Sequence, residues 1–405
     1  MATKMEQEKP KIISYAVFAF TLLVVTLSLI SLFFPALVLS LTNQIESKID
    51  PFELGALAIP FVITNLFLLG VWILHYKKRL PSKIVKLIKS ILNFEVSRRV
   101  SITIMIILFI GYISYAIQDL RLYEGDQWPD FYRIERVLRD YPSGEGHLAT
   151  YLVTNSLLKA SEVIFQNVKV IPFFASMSLL ILTYLITLKI SKKRVAGLLS
   201  VIILLQSFTF HRYDTLATYP NFWVLFYLLS LYLIYNKWYL SPAAYLLSIF
   251  SKALSIVFLP FTLFFIFNSE LSKKKKIYAT IPWVAILVLV MGLIFAGVPL
   301  ASGNKFSFDW IDLVNGFATL SYQLRFDGLV LIFLLPLTLA LFLVSRKGIR
   351  EADSVLVLIM GSILLQPILA AFTGFNIFPY RHLPIIVFFA IGVGTLLSKQ
   401  IKQVA

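Results

Sequence analysis

Three carboxylates fall within the seven residues Glu124-Gly125-Asp126-Gln127-Trp128-Pro129-Asp130. Cations and hydroxyls recur at three further points: His211-Arg212-Tyr213-Asp214-Thr215, Ser251-Lys252 and Pro379-Tyr380-Arg381-His382. A carboxylate held at the mouth of a cavity can take a proton from a hydroxyl or amine, or ligate a divalent cation. The ordinary alternative is a solvated acidic loop, since exposed carboxylates are common. Each basic turn is flanked by apolar sequence, and a cation pushed toward hydrocarbon costs roughly 2.5–3.5 kcal/mol on insertion scales, so each is expected to have a partner or a ligand. Lys252 is the sharpest case, because the apolar stretches on either side of it are short. Snorkelling to headgroups, or pairing with a carboxylate such as Asp214, would also satisfy it. Arg and Lys pair well with phosphate oxygens. Acids on one loop and cations on neighbouring turns therefore fit a substrate with an anionic headgroup and a lipid tail. The acid would activate an acceptor while the cations stabilise a departing lipid phosphate.

The elements that must position these residues are dictated by composition. The chain has 405 residues, 59% apolar and 14% charged, with mean hydropathy +0.83, against roughly 25% charged for soluble domains. Such a chain could not cover its own surface with polar groups, which excludes a water-soluble fold, whereas a bilayer asks for runs of about 20 apolar residues. The formal charge of +16 invites a nucleic-acid reading. Its placement in blocks between apolar runs is instead the pattern that orients membrane helices, so no nucleic-acid partner is expected. Cysteine is absent, which removes disulfides and thiolate metal sites. No Asn-x-Ser/Thr acceptor occurs either, which weighs against a glycosylated route.

The first apolar run, Ile12 to Leu41, is far longer than a signal-peptide core and lacks a small-residue cleavage site, so it is expected to be an uncleaved span. Further runs lie near 55–75, 100–118, 170–188, 195–210, 222–236, 277–297, 329–345, 354–373 and 383–398. The segment 238–268 reads either as one helix or as two short ones broken at Ser251-Lys252. The basic loops near 76–100, 189–194, 273–276 and 346–350 fall on one side only if the chain enters the membrane twice there. The expectation is an all-α polytopic bundle of about twelve membrane segments, including one pair of short helices, with both termini cytoplasmic. The loop 118–169 is then outer, and loops that long usually have a role. Within it Asp130–Arg139 places Phe131, Ile134 and Leu138 on one face, and a second amphipathic stretch runs from His147 to Phe165. Both are expected to lie along the membrane interface. His75, His147, His211 and His382 are dispersed without zinc-site spacing, so any metal would more plausibly be Mg²⁺ or Mn²⁺ on carboxylates.

In its order of motifs the chain resembles the GT-C superfamily of membrane glycosyltransferases, of the polyprenyl-phosphate-sugar-dependent mannosyltransferase and arabinosyltransferase type. The likeness is carried by GDQWPDFYRIERVLRDYPSGEGHL, by the paired spans around FHRYDTLATYPNFW, by the short-helix pair YLLSIFSKALSIVFLPFTLFFIF, and by the closing PYRHLPIIVFFAIGVGTLL. It covers about 115–398. The resemblance implies an inverting transferase that moves a sugar from a polyprenyl-phosphate donor to a glycan, lipid or protein acceptor on the non-cytoplasmic face. It implies Asp126 as general base or acceptor-orienting group, with Asp130 as the near alternative. Lys252, Arg212 and Arg381 would meet the lipid phosphate, with Tyr213, Asp214 and His382 beside them as substrate contacts. The family has its acidic loop directly after its first span, whereas here two further spans come before the span that leads into the loop, so residues 1–99 read as an addition to a catalytic domain 100–405. The WWD-type signature of oligosaccharyltransferases is absent. A lipid-linked-substrate transporter or flippase, and a noncatalytic membrane subunit, are the competing readings; no paired internal repeat of the transporter kind is evident.

Overall fold

The computed structural model describes residues 2–35, 50, 52–140, 148–295, 308–373 and 378–398, and among these every regular element is helical. The first helices are α1 (Ala2–Phe33), α2 (Ala58–Tyr76), α3 (Ser82–Asn93), α4 (Arg98–Arg121), α5 (Phe131–Arg139), α6 (Leu148–Phe165), α7 (Val170–Ser191) and α8 (Arg194–Leu205). They are followed by α9 (Phe208–Tyr213), α10 (Phe222–Asn236), α11 (Ser241–Ser251), α12 (Leu259–Asn268), α13 (Lys273–Phe295), α14 (Trp310–Gln323), α15 (Gly328–Arg346), α16 (Glu351–Thr373) and α17 (Leu383–Thr395).

Six stretches among the described residues are long and apolar enough to cross a bilayer: Ile12–Phe33, Ala58–Tyr76, Arg98–Arg121, Val170–Ser191, Gly328–Arg346 and Glu351–Phe372. That is the signature of an integral membrane protein, because about 20 residues of helix match the hydrocarbon thickness. The shorter apolar helices include α8, α10 and the stretch Ala253–Asn268. Between α11 and α12 the helix is interrupted where the sequence suggested a break. Lys252 is extended (φ −163°, ψ 116°) and a 3₁₀ segment, Ala253–Phe258, follows it.

Contacts group the chain into two units. One comprises Met1–Ser97, Ile190–Ser200 and Lys305–Ala405; the other comprises Arg98–Lys189 and Val201–Asn304. Residues 305–405 thus group with 1–97, whereas the sequence reading put them with 100–304. In the first unit α1 packs on α14, α15 and α16. Ser14 donates to the Asp353 carboxylate at 3.1 Å, and Phe18 stacks on Phe342 at 4.2 Å. A Cβ at Gly316 would collide with the backbone of Pro367, so only glycine allows α14 to approach α16 this closely. Helix α17 is buried almost along its whole length and packs on α15 and α16.

In the second unit α10 and α11 pack side by side, with Tyr227, Tyr245, Phe258 and Trp283 wholly buried. The two helices of the 118–169 loop depart from expectation. Phe131 and Leu138 of α5 are buried, and Ile134 half-buried, in a cluster with Leu158 of α6, Ala175 of α7, Ala217 and Phe222. The apolar face of α5 is therefore satisfied by protein rather than by a bilayer surface. The second amphipathic stretch is helical from Leu148, and His147 lies outside the described residues. Leu158 and Ser161 of α6 are fully buried and Thr154 is nearly so, so that helix too has a protein-facing side.

Candidate functional site

The carboxylates of Glu124–Asp130 have separate fates. Glu124 sits on a 3₁₀ turn (Glu124–Asp126) and is 2% exposed. Its carboxylate accepts the Ala217 N–H at 2.8 Å, the Thr218 N–H at 2.7 Å and the Thr218 hydroxyl. Ionised acceptors make hydrogen bonds roughly twice as strong as neutral ones, so Glu124 is the pin that fastens the acidic loop to the turn after α9. Asp130 is half-buried and accepts from the Tyr219 hydroxyl at 2.8 Å, with Arg133 Nε 3.7 Å away. Asp126 is exposed on the surface of the turn. A Cβ at Gly125 would meet the ring end of the exposed Tyr123 side chain, which would have to swing away from its hydrogen bond to Glu135.

Beside this turn lies a partly open cleft of about 490 Å³. Helical periodicity brings Tyr115, Asp119 and Leu122, at the end of α4, onto one wall. Gln127 and Trp128 continue from the acidic turn, and Lys169 closes the junction before α7. The remaining wall is Phe208, His211 and Arg212 of α9 with Thr215 and Leu216. Helix α9 starts where Ser207 accepts the Phe210 N–H at 3.0 Å, a serine N-cap on a helix of one and a half turns.

Three basic side chains reach this cleft. Lys169 is buried and its Nζ donates to the carbonyls of Asp119 and of Leu122 (3.2 Å), so it caps the carbonyl end of α4, where a positive charge is favoured. Burial pushes its ammonium below the usual lysine range. The Arg212 guanidinium lies 5.1 Å from the Trp128 ring and 5.8 Å from Phe208, held by aromatic faces while its donors stay exposed. His211 donates from Nε2 to the Leu205 carbonyl at 2.6 Å and turns Nδ1 toward Asp214 Oδ2, 3.6 Å away. Burial pulls His211 down, but the Asp214 carboxylate and the Leu205 carbonyl outweigh it and leave the imidazole above its ordinary value. Burial likewise pushes the Asp214 carboxyl up, against the pull of His211 and Tyr112.

Of the residues singled out by sequence, Arg212 lines the cleft. Asp214 is 1% exposed behind His211. Tyr213 is buried in an aromatic cluster, 5.6 Å from Trp128 and 6.1 Å from Tyr219, outside the cleft lining. Asp126 and Asp130 flank Gln127 and Trp128 in the chain without lining the cleft themselves. Lys252, half-buried, places Nζ 5.8 Å from the Trp223 ring. Its turn is joined to α6, which donates from Thr154 to the Ser251 carbonyl at 2.8 Å, while Lys159 of the same helix donates to the Leu138 carbonyl of α5 at 3.0 Å. The Ser251-Lys252 break and α5 are thus tied through one helix. Arg381 and His382 belong to the other unit, on a 3₁₀ turn (Pro379–His382) where Gln366 donates to the Arg381 carbonyl at 3.0 Å. His382 is buried; burial first and the Arg381 charge second pull it down to about 3, so at neutral pH it is an uncharged imidazole.

Sequence reading passed over Asp119, Lys169, Tyr115 and Trp128, and gave His211 no role of its own. Lys169 carried the same signal as Lys252, a lone cation against an apolar run. Among the described residues no three His, Asp or Glu side chains converge as a metal site requires, so Mg²⁺ or Mn²⁺ would draw most of its ligands from water or substrate. Compared with known protein families, with curated proteins and with solved structures, the chain matches none.

Proposed function

We propose that the protein is an inverting membrane glycosyltransferase of the GT-C kind. It uses a polyprenyl-phosphate sugar and works at the outer end of a bundle of about twelve membrane segments whose termini are both cytoplasmic. The observation that carries this reading is the convergence of Lys169, His211 and Arg212 on one cleft at the end of a membrane-length helix, next to the acidic turn that ends in Gln127 and Trp128. An anionic lipid headgroup is the ligand that such a place suits best.

In this reading the donor phosphate meets Arg212 and the protonated His211, and Lys252, tied to the outer loop through α6, offers a further cation. The Asp126 carboxylate takes the proton from an acceptor hydroxyl. The acceptor oxygen bonds to the anomeric carbon as the bond from that carbon to the phosphate oxygen breaks, and the polyprenyl phosphate leaves with the electron pair. Exposure of Asp126 suits an acceptor that arrives from water, and Asp130, held by Tyr219, keeps the turn in register.

The test is to incubate the purified chain with a panel of lipid-linked sugars and follow loss of the headgroup by mass spectrometry. Turnover of at least one donor is expected. Asp126→Asn, with an unchanged unfolding temperature, is expected to lower it by about 10²-fold or more. Full activity in that variant discards Asp126 as base, and headgroup translocation without bond cleavage replaces the transferase with a transporter.

A further inference from the structure

Helix α3, SKIVKLIKSILN, has no buried residue. At about 100° per residue its apolar side chains fall in one arc of about 160° and its lysines in the opposite one. Ile84, Leu87, Ile88 and Ile91 present 43%, 60%, 38% and 53% of their surface, while Lys83, Lys86 and Lys89 project from the other side. The segment 77–99 holds eight basic residues and one acid, Glu95. That acid is already engaged, accepting the Arg194 N–H at 3.0 Å with the Arg194 guanidinium 3.8 Å away. Lys193 also donates to the Leu92 carbonyl, so the end of α3 is clamped to the basic turn 191–194.

The occupant of this apolar stripe is fixed by the chain on either side. Membrane-length helices end at Tyr76 and begin again at Arg98, leaving five residues before α3 and four after it. At no more than about 3.5 Å per residue, these linkers hold α3 within reach of the membrane surface. We propose that α3 is a docking surface for anionic lipid. It lies in the headgroup layer of the leaflet from which the basic ends of α2 and α4 emerge, with Ile84, Leu87, Ile88 and Ile91 inserted and the lysines on lipid phosphates. The inference holds whether or not the chain is a transferase.

The absence of cysteine makes the test direct. A polarity-sensitive fluorophore is placed at Ile91→Cys or at Ser90→Cys in the full chain, adjacent positions on either side of the apolar boundary. Acrylamide quenching is then compared in nanodiscs of phosphatidylcholine with and without phosphatidylglycerol. Expected is a label at 91 shielded several-fold more than at 90 in the anionic discs. Replacing Lys83, Lys86 and Lys89 together by Gln is expected to lower the docked-to-undocked ratio by up to roughly a hundredfold, since each basic residue counts about fivefold at an anionic surface. None of these side chains is buried, so folding is not at stake. Equal quenching at 90 and 91 in anionic discs overturns the docking. Equal shielding of 91 in both lipids, or shielding unchanged in the triple variant, overturns the anionic recognition.

Discussion

His211-Arg212 and Arg381-His382 are alike as sequence: an Arg and a His side by side on a short helical turn ahead of an apolar helix. The folded chain makes opposites of them. His211 keeps one ring nitrogen on a carbonyl and faces the other toward a buried carboxylate, and it titrates above its ordinary range. His382 is buried with no carboxylate cause of any kind, and neither ring nitrogen has a hydrogen-bond partner among the described residues; it titrates near 3. The difference teaches that what faces the ring, rather than the residue pair itself, decides in which direction the histidine's titration moves.

The comparison breaks most violently at Glu124, because that carboxylate holds the turn bearing Ala217 and Thr218 just beyond Asp214. Glu124→Ala leaves two backbone N–H groups and a hydroxyl without their acceptor, and is expected to cost about 3–5 kcal/mol. Thermal unfolding in a single detergent measures this. Asp126→Ala, two residues away and exposed, is expected to change stability by no more than about 0.5 kcal/mol. Equal losses in the two variants would mean that Glu124 is not the pin.

A smaller effect sharpens the comparison through protons. In the intact protein His211 stays charged to a pH above its ordinary value of 6.5. The cleft therefore carries that charge below the titration and loses it as pH rises through it, and binding of a phosphate-headed lipid is expected to weaken on the alkaline side. Asp214→Asn removes the carboxylate but leaves burial in place, so His211 should titrate at lower pH and the loss of binding should move the same way. Histidine NMR titration and a binding curve against pH read the two shifts. The signal of His382 serves as the internal control that does not move.

How much of this was legible beforehand depended on distance along the chain. The apolar runs announced the six membrane-length helices and the break at Lys252, because membrane length and helical period are local properties, whereas the runs near 195–210, 222–236 and 383–398 form helices shorter than a span. Helix α5 was visible in Phe131, Ile134 and Leu138, but its partner was not. A face that suits a bilayer suits Leu158, Ala175 and Phe222 equally well, and only long-range packing chooses between them. The acidic stretch was visible as a cluster, yet nothing local could say that Glu124 would turn inward and Asp126 outward. The cleft was hidden for the same reason: Asp119, Lys169 and His211 lie on three separate segments, and their meeting is a fact of tertiary structure. For Arg381 and His382 the pattern suggested two cations, and burial removed one of them.

The smallest expected effect lies at the other turn. His382 is a neutral, buried ring, and His382→Leu substitutes an apolar side chain of similar volume without orphaning any hydrogen-bonding group among the described residues. The change in stability is expected to stay within about 1.5 kcal/mol, and the relief of two buried polar nitrogens pushes toward stabilisation. His211→Leu, by contrast, removes the donor on the Leu205 carbonyl and leaves the Asp214 carboxylate, 1% exposed, facing an apolar side chain. Its cost is expected to exceed that of His382→Leu by at least about 1–2 kcal/mol, and to shrink as the pH is lowered far enough to protonate Asp214. Unfolding temperatures of both variants, at neutral pH and again on the acid side, decide the matter. Should His382→Leu prove the more damaging at neutral pH, the imidazole there has a polar task, and the two turns are closer kin than their surroundings suggest.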